Sequence, residues 1–174
     1  MEINRVWQFP SAKTFSIKAV KALIEKYRAK VPNGVIIDPF ANDSKLGTVT
    51  NDIDTNYKTD FHLEATDFLR LFEKSSVDLV LYDPPYSPRQ LSECYRRLGK
   101  SVTMKDTQAS YWSEQKKLIG EIVKPNGFVI SFGWNSGGVG KKNGFEIIEI
   151  LLVAHGGSHN DTICTVERKV GITV

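Results

Sequence analysis

Asp38, Asp52, Asp54, Asp67 and Asp83 nearly all stand just behind short apolar runs. In an open parallel α/β sheet, ligands bind outside the carboxyl ends of the strands, so these five carboxylates are the first candidates for a site. The densest group is Asp83-Pro84-Pro85-Tyr86, directly after the run Val77 to Tyr82. It combines a hydrogen-bond acceptor, two residues of fixed φ and a ring face on which a planar group can stack. The plain alternative is a polar turn after a strand, where Asp and Pro are common anyway. Cys94 and Cys164 are the only cysteines. Two are too few for a disulfide framework or a four-ligand zinc site, so both read as buried or half-buried free thiols, and no metal is expected.

The tetrapeptide resembles the hallmark of the amino methyltransferases that act on the N6 nitrogen of adenine in DNA, in particular the compact adenine methyltransferases of phages and prophages. The resemblance implies a Rossmann-like sheet with the motif after its fourth strand, and S-adenosylmethionine as methyl donor. It implies that Asp83 and the Pro84 carbonyl each accept an N–H of the target amine, with Pro85 rigidifying the turn and Tyr86 stacking on an extruded base. The exocyclic amine of adenine has its lone pair delocalised into the ring, and such acceptors localise it.

Other segments follow in the family's order. Pro10 to Lys18, with Thr14, Phe15 and Ser16, resembles the segment that packs on the methionine end of the donor. Asp38-Pro39-Phe40 resembles the opening of the donor-binding loop, but it continues Ala41-Asn42-Asp43-Ser44-Lys45-Leu46-Gly47, without the family's glycine-rich turn. Thr48 to Asp54 resembles the second strand, whose terminal acid binds the ribose hydroxyls; Asp52 aligns best and Asp54 is the reserve. Asp67-Phe68 resembles the adenine pocket of the donor, although Asp67 also reads as a helix cap.

Elements must hold these groups in place. Phe15, Ile17, Val20, Leu23, Ile24 and Tyr27 recur at helical spacing, and Pro32-Asn33-Gly34 stops that helix. Val35 to Ile37, Val77 to Tyr82 and Phe128 to Phe132 read as buried parallel strands, the last after a Pro125-Asn126-Gly127 turn, with a helix over Asp106 to Val123 before it. Glu146 to Val153 and Thr162 to Glu167 read as a C-terminal antiparallel pair around the loop His155 to Asp161, and Asn135 to Gly144 as a mobile surface loop. The expected fold is thus α/β, a mostly parallel sheet ending in an antiparallel hairpin, in a single methyltransferase domain over residues 1–174.

Composition bounds the partners. With 23 basic and 20 acidic residues the net charge is only +3, so a polyanion must be met by a local patch rather than a global field. Arg89, Arg96, Arg97, Lys100 and Lys105 follow the tetrapeptide and are the candidates for phosphate contact, although charges on an amphipathic helix are often only its wet face. Only 15 residues separate Asp67 from Asp83 and 88 follow Tyr86, which leaves no space for a large target-recognition domain. Target choice then falls to Ser87 to Ser110, to the terminal loops, or to a homodimer on double-stranded DNA. Met1 to Gln8 lacks the pattern of a secretory signal and no run is long enough to span a membrane, so a cytoplasmic location is expected, in a bacterial or phage-infected cell. Methylation of RNA, or an inactive nucleic-acid-binding derivative of such an enzyme, are the competing readings.

Overall fold

A computed structural model describes residues 1–101 and 109–171. In chain order the elements are β1 (Glu2–Trp7), α1 (Lys18–Arg28), β2 (Ile36–Asp38), β3 (Val49–Thr50), α2 (Ala65–Leu69), β4 (Val77–Tyr82), α3 (Pro88–Arg97), α4 (Ala109–Ile122), β5 (Val123–Gly133), β6 (Phe145–Ala154) and β7 (Thr162–Lys169). One seven-stranded sheet runs in the order β1-β6-β7-β5-β4-β2-β3. Only β7 is antiparallel to its neighbours, so the carboxyl ends of the other six strands share one edge.

Strand β4 reads as a continuous apolar run because both of its faces are covered. Successive side chains alternate sides, so Leu79 and Leu81 join α1 residues Val20, Leu23, Ile24 and Tyr27 on one face, with Ile130, Phe132 and Cys164. Val80 and Tyr82 join Phe68, Leu69, Ile119 and Ile122 of α2 and α4 on the other, with Val129 and Phe145. Cys94 is half-buried, Cys164 is buried, and both are free thiols.

Four local readings differ from the expectation. Strand β1 pairs in parallel with β6, yet it was invisible as an element because five of its six side chains are exposed and leave no apolar alternation. The Pro125-Asn126-Gly127 turn is absorbed into β5: Asn126 takes φ 64°, and the register against β4 shifts between Val77 and Leu79. A Cβ at Gly127 would lie 2.8 Å from Val123 Cγ1 and 3.1 Å from the Asp78 carbonyl oxygen of β4, so this tight spot favours glycine. Of Thr48 to Asp54, only Val49 and Thr50 are a strand, followed by a single bridge from Asn51 to Phe61.

The expected mobile loop Asn135 to Gly144 is instead tied to the sheet in its second half. The buried Glu167 carboxylate accepts hydrogen bonds from the backbone N–H groups of Val139 (2.6 Å) and Gly140 (2.8 Å), and Val139 is itself buried. Gly138 has φ 53°, and a Cβ there would strike the same carboxylate. The helix expected over Asp106 to Val123 is described from Ala109 onward; Asp106, like Met104 and Lys105, lies outside the described residues. Among the described residues no helix is long and apolar enough to cross a membrane.

Candidate active site

The carboxyl edge of the sheet opens into two cavities with the Asp83-Pro84-Pro85-Tyr86 segment between them. The larger, about 880 Å³, lies over the ends of β2 and β3 and beneath α3, and is lined by Thr14, Phe40, Asp52, Asp54, Glu64 and Asp83 among others. The smaller, about 280 Å³, is lined by Tyr82, Tyr86, Trp112, Lys116, Ser131 and Trp134 among others. Pro84, Pro85 and Tyr86 contribute to both.

The tetrapeptide is held from several sides. The Tyr86 hydroxyl donates to Asp83 Oδ1 at 2.5 Å, and the Tyr86 backbone N–H donates to Gln90 Oε1 at 2.7 Å. Trp112 Nε1 donates to the Pro85 carbonyl at 3.0 Å, which fixes the turn to α4. Helix α3 starts directly behind it, with Ser87 capping the N–H of Gln90 and Pro88 at its first position. Burial lifts the Asp83 carboxyl to about 6, against the opposing pull of the hydrogen bonds from Tyr86 and Thr14. The same burial and the neighbouring Asp83 charge push the Tyr86 phenol well up, so Tyr86 remains a hydrogen-bond donor.

Asp38 is fully buried at the end of β2. One of its oxygens accepts the Phe40 N–H at 3.2 Å and the other has no partner among the described residues. Burial, then the nearby carboxylates of Asp83 and Asp52, raise its pKa well above the ordinary value. Pro39, Phe40 and Asn42 line the larger cavity, so the loop after β2 reaches it without a glycine-rich turn. Asn42 supplies the left-handed conformation instead, at φ 50°, which Asn tolerates better than most side chains.

Asn51 ties this loop to the next. Its side-chain amide donates to the carbonyls of Pro39 (3.0 Å) and Leu63 (2.9 Å), and its oxygen accepts the Leu63 N–H (2.9 Å). Asp52 then accepts the backbone N–H of Asn42 (2.8 Å) on one oxygen and that of Asp54 (2.9 Å) on the other. Burial raises the Asp52 pKa against those two amides. Asp52 and Asp54 both line the larger cavity.

Asp67 and Phe68 do not reach it. Asp67 is exposed on α2 and pairs with Arg70 at 2.8 Å, while Phe68 is fully buried in the core beneath. Three residues earlier, Glu64 does line the cavity, and its carboxylate accepts the Tyr95 hydroxyl at 2.6 Å. Phe15 also stands back from the cavity, packed on Phe132 at a centroid distance of 4.8 Å, and Ala12 and Thr14 beside it form the wall.

Arg96 and Arg97 border the larger cavity from α3. Arg97 also donates to Cys94 Sγ at 3.4 Å, Arg89 is largely exposed and pairs with Glu93, and Lys100 approaches Glu64 at 4.0 Å. Lys105 lies outside the described residues. Spacing gave no sign of Asn51, Glu64, Trp112 or Trp134. Glu64 alone had a local signal, as the acid just ahead of a short helix.

No family model and no curated protein matches the chain. Solved structures do resemble it in fold. A Burkholderia thailandensis 1,6-didemethyltoxoflavin-N1-methyltransferase with bound S-adenosylhomocysteine shares 10% identity at a TM-score of 0.59, over 88% of this chain and 79% of its own. A candidate methyltransferase of Escherichia coli, yhhF, shares 10% identity at 0.54, over 93% and 92%. TrmN from Thermus thermophilus shares 15% identity at 0.52 over 85% of this chain, which spans about half of TrmN (48%). The mixed sheet, its terminal antiparallel strand and these likenesses together establish an α/β fold of the Rossmann-like methyltransferase type.

Proposed function

We propose that this chain is an S-adenosylmethionine-dependent methyltransferase that modifies the N6 amino group of adenine in DNA. The observation that carries the reading is the position of the tetrapeptide between two cavities: Pro84, Pro85 and Tyr86 line both, and Asp83 faces the larger, which is lined with carboxylates while the smaller is lined with aromatic rings. The likeness to methyltransferases, one of them holding S-adenosylhomocysteine, supports the donor assignment.

The larger cavity suits the donor in size, within the roughly 300–1,000 Å³ of small-molecule sites, and in chemistry. Asp52 and Asp54 offer acceptors for ribose hydroxyls, Glu64 offers one for the adenine amine of the donor, and Phe40 offers an apolar face. Bound there, S-adenosylmethionine supplies an electrophilic methyl group on a sulfonium, so the protein needs no covalent nucleophile of its own.

Asp83 and the Pro84 carbonyl each accept one N–H of the target amine, which draws the nitrogen lone pair out of the ring and aims it across the wall. The surplus proton on the amine passes to Asp83 and then to water, while the donor, held by Asp52, Asp54 and Glu64, would supply the methyl carbon and leave as S-adenosylhomocysteine. A carboxylate held near pKa 6 is a better proton acceptor than an ordinary one. Tyr86 keeps one carboxylate oxygen oriented and offers its ring to the base.

The test is calorimetric binding of S-adenosylhomocysteine, followed by transfer of tritiated methyl from S-adenosylmethionine to matched adenine-containing DNA and RNA oligonucleotides. Binding with label on DNA, lost in Asp83→Ala, is expected. Label on RNA alone would move the substrate to RNA, and no binding at millimolar ligand would overturn the reading.

A further inference from the structure

The smaller cavity has a polar element that the proposed chemistry does not use. Its walls are apolar and aromatic: Pro84 and Pro85, the Tyr86 ring, Trp112 and Trp134. Tyr86 and Trp134 meet edge to face at 5.3 Å with an interplanar angle of 63°. Every base has a π face, so such walls hold any base without choosing among them. Choice requires polar groups directed at the base edge.

Among the lining residues, Tyr82 donates its hydroxyl to Gln115 at 2.8 Å and the exposed Asn135 accepts the Gly137 N–H at 2.9 Å, which leaves Lys116 and Ser131 as the candidates. Ser131 Oγ is buried and has no hydrogen-bond partner among the described residues. Lys116, on α4 one residue past the fully buried Gln115, makes no hydrogen bond or ion pair with a described residue. The charge of Glu167 acts on it favourably and that of Lys142 against it, and the Glu167 carboxylate already accepts two backbone N–H groups. Partial burial lowers the Lys116 pKa, as expected of an ammonium drawn from water without a full partner. An ammonium of this kind is a donor only, and its missing partner is an acceptor.

We infer that Lys116 is a specificity-determining residue, donating a hydrogen bond to a ring nitrogen that flanks the amino group of the extruded adenine. The inference rests on the proposed adenine reading and extends it. With the amine engaged by Asp83 and Pro84, the ring nitrogens on either side of its carbon, N1 and N7, are the acceptors closest to the reacting atom. A donor there favours a base with a ring nitrogen beside the amine, and losing that contact leaves the ammonium desolvated and unpaired. Ser131, with its own unused hydroxyl, is placed to support the same edge.

The experiment measures kcat/KM for methyl transfer by the wild-type protein, Lys116→Met and Lys116→Gln on oligonucleotides carrying adenine, 1-deazaadenine or 7-deazaadenine at the target position. Donor binding and urea unfolding are followed for each variant. The wild type is expected to lose about tenfold to a hundredfold on one of the two deaza substrates. Lys116→Met should lose a similar factor on adenine and no longer distinguish that analogue, with donor affinity unchanged.

A uniform loss on all three substrates would mean a phosphate contact and would overturn the inference. So would a variant that treats adenine and both analogues as the wild type does, or one whose only defect is lower stability. Absence of transfer by the wild type to any adenine substrate would instead defeat the adenine reading itself, before Lys116 is in question.

Discussion

The Tyr86 hydroxyl donates to Asp83 Oδ1 at 2.5 Å across a single turn of chain, so the two ends of the tetrapeptide form one acceptor unit. This bond opposes the effect of burial on the carboxyl. Removing it in Tyr86→Phe should raise the Asp83 pKa further and shift the acid limb of the pH–rate profile to higher pH. An unmoved limb would mean that Tyr86 acts only by stacking.

In the wild type, burial lifts the Asp83 carboxyl from its ordinary 3.8 to about 6, so the acceptor form predominates only above that pH. The profile of kcat/KM should therefore rise with an apparent pKa near 6. A limb near 4 would contradict the role given to this carboxylate.

The same shift has a sign in stability. Between about pH 4 and 6 the unfolded chain ionises Asp83 while the fold holds it neutral, so stability is lost over that window and the full cost stands above it. Asp83→Asn removes that cost and retains an acceptor for Tyr86. At pH 7 it should be inactive but more stable by about 1–3 kcal/mol in urea unfolding, allowing for solvent in the open cavity. Equal or lower stability would contradict the burial argument.

Several of these features were legible in the sequence because they follow from local pattern. The apolar run Val77 to Tyr82 ending in Asp83 gave both a two-sided strand and the place of the site, and Lys18–Arg28 lay within the helical repeat. What was not legible depends on partners distant in the chain. Asn51 reads as a turn residue, yet its amide joins the Pro39 and Leu63 loops. Asp67 matched a family spacing, but the short helix α2 begins at Ala65, which turns Asp67 to solvent and leaves Glu64 at the cavity. Strand β1 is an edge element held by backbone pairing, and its side chains record nothing of it.

The Glu64 placement separates two adjacent acids. Glu64→Gln should weaken S-adenosylhomocysteine binding about tenfold in calorimetry, whereas Asp67→Asn should leave it within about twofold. The reverse order would restore the position expected from the family spacing.

Asn51 makes three side-chain hydrogen bonds, one buried and two part-buried, so Asn51→Leu should destabilise the fold by about 2–4 kcal/mol in urea unfolding. Because both tethered loops border the larger cavity, donor affinity should fall with it, even in the folded fraction. A stable variant with normal donor binding would contradict the keystone role.

The basic residues of α3 give a salt signature. If Arg96 and Arg97 meet phosphates, each change to Gln should lower the slope of log affinity for duplex against log salt by about 1. An unchanged slope would assign them to the cavity rim alone.

The central claim is methyl transfer to an adenine amine by way of Asp83, and nucleoside mass spectrometry of DNA incubated with purified protein and S-adenosylmethionine tests it most directly. The account predicts N6-methyladenine with the wild type and none with Asp83→Ala or Asp83→Asn. A methyl group on another base, or N6-methyladenine still formed by the Asp83 variants, would contradict it.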